Sequence, residues 1–217
     1  MTVRALTFLL VALLMPTLAL GAGKPAAPRG PAPVEGTDYV RIEGGAPYAP
    51  APGTIEVAEV FGYTCPACAQ FESLLNAWKA KLPVDVRVRY VPAPFGGPWI
   101  PYARAYFAGE ALGVSARTHP RVFRALHESG ELPRNPTADE LAAFYAGLGV
   151  PAARFNAAYA APSVDAQLAR ARTFIERSGV EGTPALVING KYRVIGTSYQ
   201  DMLRIAEHLV ARERAAR

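Results

Sequence analysis

Cysteine is nearly absent: the 217 residues contain two, Cys65 and Cys68. A stabilising disulfide framework uses pairs that close long loops. A bridge across three positions closes almost none, and the chain-entropy relation gives it about 2 kcal/mol against about 5 for a long loop. Reactivity therefore explains the pair better than stability does. Histidine is also scarce, with His119, His127 and His208 scattered along the chain. A tetrahedral zinc set needs a second cysteine pair or closely spaced histidines, so no metal is expected, and the three histidines are expected at the surface or its boundary. Clusters of Lys and Arg are missing too. The net charge of +5 is spread out, which excludes a nucleic-acid-binding stripe. No internal repeat is visible, and beyond residue 20 no apolar run approaches membrane-spanning length. What is abundant is apolar material, 51% of the chain against 19% charged residues. That composition excludes disorder for the chain as a whole, and the length suits one domain or a domain carrying a large insertion.

The N-terminus reads as a targeting segment. Arg4 is its only charge, an apolar run follows from Ala5 to Leu20 with Pro16 inside it, and small residues stand at Ala19, Gly21 and Ala22. That order predicts a secretory signal peptide over residues 1–22, cut after Gly21 or Ala22. The run is shorter than an uncleaved anchor usually needs. Residues 23–37, rich in Pro, Gly and Ala, read as a flexible tether.

The cysteine pair gains meaning from its surroundings. Thr54–Phe61 (TIEVAEVF) reads as a buried strand. Gly62-Tyr63-Thr64 leads into Cys65-Pro66-Ala67-Cys68, and Ala69–Lys81 reads as a helix with Phe71, Leu74, Leu75 and Trp78 on its core face. Leu82-Pro83 stops that helix, and Val84–Val91 alternates as a strand. The motif thus sits at a strand-to-helix junction, with Cys65 at the helix start and Pro66 in its first turn. The thiolate is the reactive form of cysteine. Unpaired N–H groups and the positive end of the helix dipole favour it there. Cys65 is expected to be the exposed, low-pKa attacker, and Cys68, one turn in, the buried resolving thiol.

Further along, Asp38–Ile42 reads as a short edge strand. Residues 98–178 read as a helical block: Tyr102, Tyr106 and Leu112 on one face, then Val122, Phe123 and Leu126. A capping box begins at Thr137, and Ser163 is placed to cap a later helix. From Val180 the pattern returns to sheet. Gly182-Thr183-Pro184 precedes a strand at Ala185–Ile188, Asn189-Gly190 is a two-residue hairpin signal, and Lys191–Ile195 is the partner strand. Ser198 caps a final helix carrying Met202, Ile205 and Leu209. The order predicts an α/β protein with a thioredoxin-like domain over 38–97 and 179–217 and a helical domain inserted in its middle, 98–178.

Three stretches, EVFGYTCPACAQFE, VEGTPALVINGKYRV and the helical block between them, resemble the DsbA family of periplasmic thiol:disulfide oxidoreductases, over roughly residues 38–213. The resemblance implies that Cys65 takes electrons from a substrate thiol and that Cys68 completes the redox-active disulfide, with no other cofactor. It implies that Pro184 is a cis-proline facing that disulfide and that Thr183, Pro184, Pro66 and Ala67 form the substrate surface. Glu59 matches a buried acid six positions before the first cysteine, and strand alternation places it on an apolar face, where a carboxyl is suited to move protons for Cys68. The implied setting is the periplasm and the implied partners are newly exported cysteine-containing proteins and a DsbB-type membrane quinone reductase, with the protein a monomer. Two positions depart from the best-known members: Pro-Ala stands where they have Pro-His, and Thr183 where they have Val. Both bear on redox strength and substrate choice. An isomerase or reductase would use the same motif, but isomerases of the DsbC type carry an N-terminal dimerisation domain, and residues 23–53 are too few and too Pro-rich to supply one. A chaperone-like binding module would leave the spare use of cysteine unexplained.

Overall fold

The computed structural model describes residues 28–217; the expected signal peptide, residues 1–22, lies outside them. A five-stranded mixed sheet forms the centre. Its strands are β1 (Tyr39–Arg41), β2 (Ile55–Phe61), β3 (Val86–Pro92), β4 (Ala185–Ile188) and β5 (Tyr192–Val194), in the order β1-β5-β4-β2-β3. β2 and β3 run parallel, and the remaining neighbours are antiparallel. All seven residues of β2 are buried, as expected of a central strand covered on both faces.

One face of the sheet is covered by α1 (Pro66–Lys79) and α7 (Tyr199–Ala215): Phe71, Leu75, Ile205 and Leu209 pack with Ile55, Val57, Leu186 and Ile188. The other face, presenting Ala58, Val60 and Val187, is covered by the helical block. That block consists of α2 (Trp99–Ala111), α3 (Ser115–His127), α4 (Ala138–Gly147), α5 (Ala152–Tyr159) and α6 (Pro162–Arg177), all between β3 and β4 in the chain. Burial of these apolar side chains, each contributing about 1.5–3 kcal/mol, is what docks the block onto the sheet.

Local signals set most boundaries. Thr137 and Glu140 form a reciprocal capping box on α4, and Ser198 caps α7 by accepting from Asp201 N–H at 3.1 Å. Asn189 and Gly190 turn the β4–β5 hairpin with φ of 50° and 68°, and a side chain at Gly190 would run into the backbone of Ala46. As expected from the motif's place at the strand-to-helix junction, α1 begins at Pro66 with Cys65 as its cap, and it ends at Lys79, two residues before the expected Lys81. Two further expectations need correction. Ser163 caps nothing: Pro162 begins α6 after Ala161, because proline's fixed φ and missing N–H suit the first helical position. The described part of the expected tether lies along α7, where His208 Nε2 meets the Arg29 carbonyl at 3.3 Å and Arg204 donates to the Pro31 carbonyl.

Candidate active site

β2 ends at Phe61, and its direction carries Gly62-Tyr63-Thr64 to the start of α1. Gly62 is required there by close approach, since a Cβ would enter the ring of Trp99. The turn is closed by Cys65 N–H donating to the Gly62 carbonyl at 3.1 Å. Cys65 then takes extended backbone angles as the N-cap of α1, and its Sγ accepts from the Cys68 N–H at 3.3 Å. Sulfur thereby occupies the place that a serine or aspartate oxygen takes in ordinary caps. Both cysteines are free thiols.

The two thiols have opposite surroundings. Hydrogen bonding from Cys68 is the largest influence on Cys65; Thr183 and the N–H groups of Cys68 and Ala67 add to it, and together they outweigh burial and bring its pKa down from 9.0 to about 6. Cys68 is fully buried, and that burial, followed by the proximity of Cys65, pushes its thiol far up. Cys65, expected to be openly exposed, retains only 8% exposure. The reason is the facing loop: its Sγ donates to the Thr183 carbonyl at 3.4 Å, from 118 positions away. The Thr183–Pro184 peptide bond is cis. Thr183, Pro184 and Ala67 are partly exposed and Pro66 is exposed; of the four residues expected to meet substrate, Thr183 meets the Cys65 sulfur through its carbonyl, and Pro66 and Ala67 follow Cys65 in the chain.

β2 also carries two buried glutamates, which the structure treats differently. Glu56 accepts from the Tyr48 and Ala49 N–H groups at 2.5 and 2.6 Å. Glu59, on the α1 side of the sheet, is 1% exposed, and its Oε2 has no hydrogen-bond partner among the described residues. Burial above all, then the nearby Glu72 carboxyl, raises its pKa well above the usual carboxylate range, and Cys65 is among the charges it senses. An unsupplied buried acid close to a thiol pair is chemically useful as a proton donor and acceptor.

Comparison with known proteins agrees with this geometry. Residues 45–207 match the Thioredoxin family. The thiol:disulfide interchange protein DsbA of Azotobacter vinelandii is 38% identical over 212 residues, covering 96% of this chain and 98% of the relative. That of Pseudomonas aeruginosa strain PAO1 is 37% identical, covering 83% and 86%. The crystal structure of the oxidoreductase DsbA from Xylella fastidiosa superposes with a TM-score of 0.82 at 51% identity, covering 84% of this chain and 98% of that one. The chain belongs to the DsbA family. It is a thiol–disulfide oxidoreductase with the thioredoxin-like fold.

Within this DsbA-family site, sequence reasoning missed a polar cluster. His119, expected at the surface, is 4% exposed and ringed by Phe61, Tyr63, Tyr90, Tyr106 and Phe123. Its Nδ1 lies 2.8 Å from Tyr63 Oη, and its Nε2 lies 3.4 Å from Glu72 Oε2 of α1. Half-buried His127 places Nε2 2.6 Å from the Tyr63 carbonyl. The available signal was spacing: His119, Phe123 and His127 recur every four residues and so share one face of α3. Glu72 was hidden because a glutamate in an amphipathic helix ordinarily faces water.

Proposed function

We propose that this DsbA-family protein oxidises pairs of thiols in newly exported polypeptides in the periplasm, using the Cys65–Cys68 disulfide as its sole redox group. A substrate thiolate attacks Cys65 Sγ, forming a mixed disulfide and expelling Cys68. The expelled sulfur takes a proton from Glu59, whose carboxyl is kept neutral by burial. A second substrate thiolate attacks the substrate sulfur of the mixed disulfide and releases Cys65 as a thiolate. Two electrons have then moved from the substrate dithiol to the enzyme, the substrate holds a new disulfide, its two thiol protons have gone to solvent, and Glu59 is left ionised. Glu59 takes the proton back when a DsbB-type membrane quinone reductase reoxidises the pair. Thr183, Pro184, Pro66 and Ala67 dock the substrate in extended form; such docking rests on backbone pairing and so accepts many sequences. The protein acts as a monomer.

The observation that carries this reading is the asymmetry of the pair: one thiol stabilised as thiolate at a helix start, the other buried and kept protonated. The experiment is alkylation of the reduced protein between pH 5 and 8. Cys65 should be the labelled residue, with its rate reaching half-maximum near pH 6, and Cys68→Ala should accumulate mixed disulfides during oxidation of a reduced secreted substrate. Equal labelling of both cysteines, or a Cys65→Ala variant that still oxidises the substrate, refutes the assignment.

A further inference from the structure

Helix α3 reaches the redox loop with two histidines, and both act on one residue. His127 Nε2 stands 2.6 Å from the Tyr63 carbonyl. A carbonyl only accepts, so Nε2 carries the hydrogen and donates. His119 Nδ1 stands 2.8 Å from Tyr63 Oη, while its Nε2 faces Glu72 Oε2 at 3.4 Å. With the ring hydrogen on Nε2, which makes no hydrogen bond among the described residues, Nδ1 accepts from the phenol. Tyr63 is therefore held at both ends, by backbone and by hydroxyl. Its ring packs against Phe61 at 5.2 Å and Phe123 at 5.0 Å.

Apolar residues at 119 and 127 would fill the same space without burying ring nitrogens, which is costly unless those nitrogens are used. What the histidines add is a fixed position for Tyr63. That residue lies two before Cys65, inside the turn closed by the Cys65 N–H and the Gly62 carbonyl at 3.1 Å. A displacement of Tyr63 passes through this turn to the backbone angles of Cys65. It changes how Sγ meets the Cys68 N–H at 3.3 Å, the donor that favours its thiolate. Such bonds weaken steeply as their geometry departs from linear.

We propose that His119 and His127 are positioning residues of the redox loop: acting through Tyr63, they hold Cys65 Sγ on the start of α1. The helical insertion thereby sets how readily the active site forms its thiolate. This rests on Cys65 being the attacking thiolate, which the alkylation experiment tests separately on the parent protein.

The test is titration of thiolate absorbance against pH in the reduced protein, paired with redox equilibration against glutathione. His119→Leu and His127→Leu should each raise the Cys65 titration by about half a unit or more, about threefold in the thiol–thiolate ratio, and make the protein a weaker oxidant. His127→Gln, which keeps a donor at the position of Nε2, and His119→Asn, which keeps an acceptor at the position of Nδ1, should restore both. Tyr63→Phe combined with His119→Leu should shift the titration no further than either change alone, because both remove the same bond. Leucine variants that titrate with the parent while their melting temperature falls would show a packing role only and overturn the proposal. So would shifts that the conservative variants do not undo. If a leucine variant does not fold, Tyr63→Phe and His127→Phe, which keep the rings, decide in its place, and an unmoved titration in both overturns the proposal.

Discussion

At the scale of single residues, the chemistry depends on which polar atoms are supplied with partners. Cys65 is supplied: hydrogen bonding from the Cys68 thiol above all, then Thr183 and the N–H groups of Cys68 and Ala67, stabilise its anion. Ala67 contributes backbone alone. A histidine there would add a donor or a positive charge beside Sγ, and the partly exposed position has room for it. Ala67→His is expected to move the thiolate pKa below about 6 and to raise the reduction potential by about 30 mV for each pKa unit. Thiolate absorbance and glutathione equilibration measure the two, and a potential that stays fixed while the pKa falls would break the link. Glu59 is the opposite case, a buried carboxyl whose Oε2 has no hydrogen-bond partner among the described residues. Its folded pKa is raised, so the stability it contributes is complete below the unfolded value near 4.5 and is lost as pH rises through the folded value. Glu59→Gln should therefore raise the melting temperature at pH 8, leave it little changed at pH 4, and slow substrate oxidation. A melting curve that rises equally at both pH values would show that charge is not the cause.

At the scale of elements, helix starts decide where the side chains point. Thr137 and Glu140 satisfy each other's backbone groups at the head of α4. Thr137→Ala should cost about 1 kcal/mol, read as a lower denaturation midpoint with an unchanged Cys65 titration. A shifted titration would mean that α4 communicates with the redox centre. Much at this scale was legible in the sequence. The strand-motif-helix order, the Asn189-Gly190 hairpin and the caps at Thr137 and Ser198 depend on near neighbours, and the structure contains each. What escaped depends on distant ones. The burial of His119 and Glu72 needs α3 to lie against α1, which no local pattern specifies. The limited exposure of Cys65 comes from a loop more than a hundred positions away. Alternation puts Glu56 and Glu59 on opposite faces of their strand, but that the path of residues 48–49 supplies Glu56 with two N–H groups is not written in the strand itself.

For the whole molecule, the redox state is tied to folding stability. The Cys65 thiol has a depressed pKa in the folded reduced protein. That contribution is fully present above the unfolded value near 9 and is lost as pH falls through about 6. The oxidised protein has no such group. The melting temperature of the reduced form, relative to the oxidised form, should rise between pH 5 and 8. Scanning calorimetry of both forms across that range checks the sign, and a flat difference would disconnect the thiolate from stability.

The sheet is assembled from two separated pieces of chain, and this fixes an order of events. β2 and the cysteines belong to the first piece, while β4 and the Thr183–Pro184 bond arrive after all of α2 to α6. A polypeptide emerging N-terminus first displays both sulfurs on a half-built scaffold. Until the second piece follows, β2 has one of its two neighbours, Glu59 has Tyr90 beside it but not Leu186, and Cys65 has no Thr183 carbonyl to meet. Contacts of such separation form late, after the entropy of closing the intervening chain has been overcome. During its own synthesis the protein thus carries two commonplace thiols, and it becomes an oxidant of other chains only once its own chain is nearly complete.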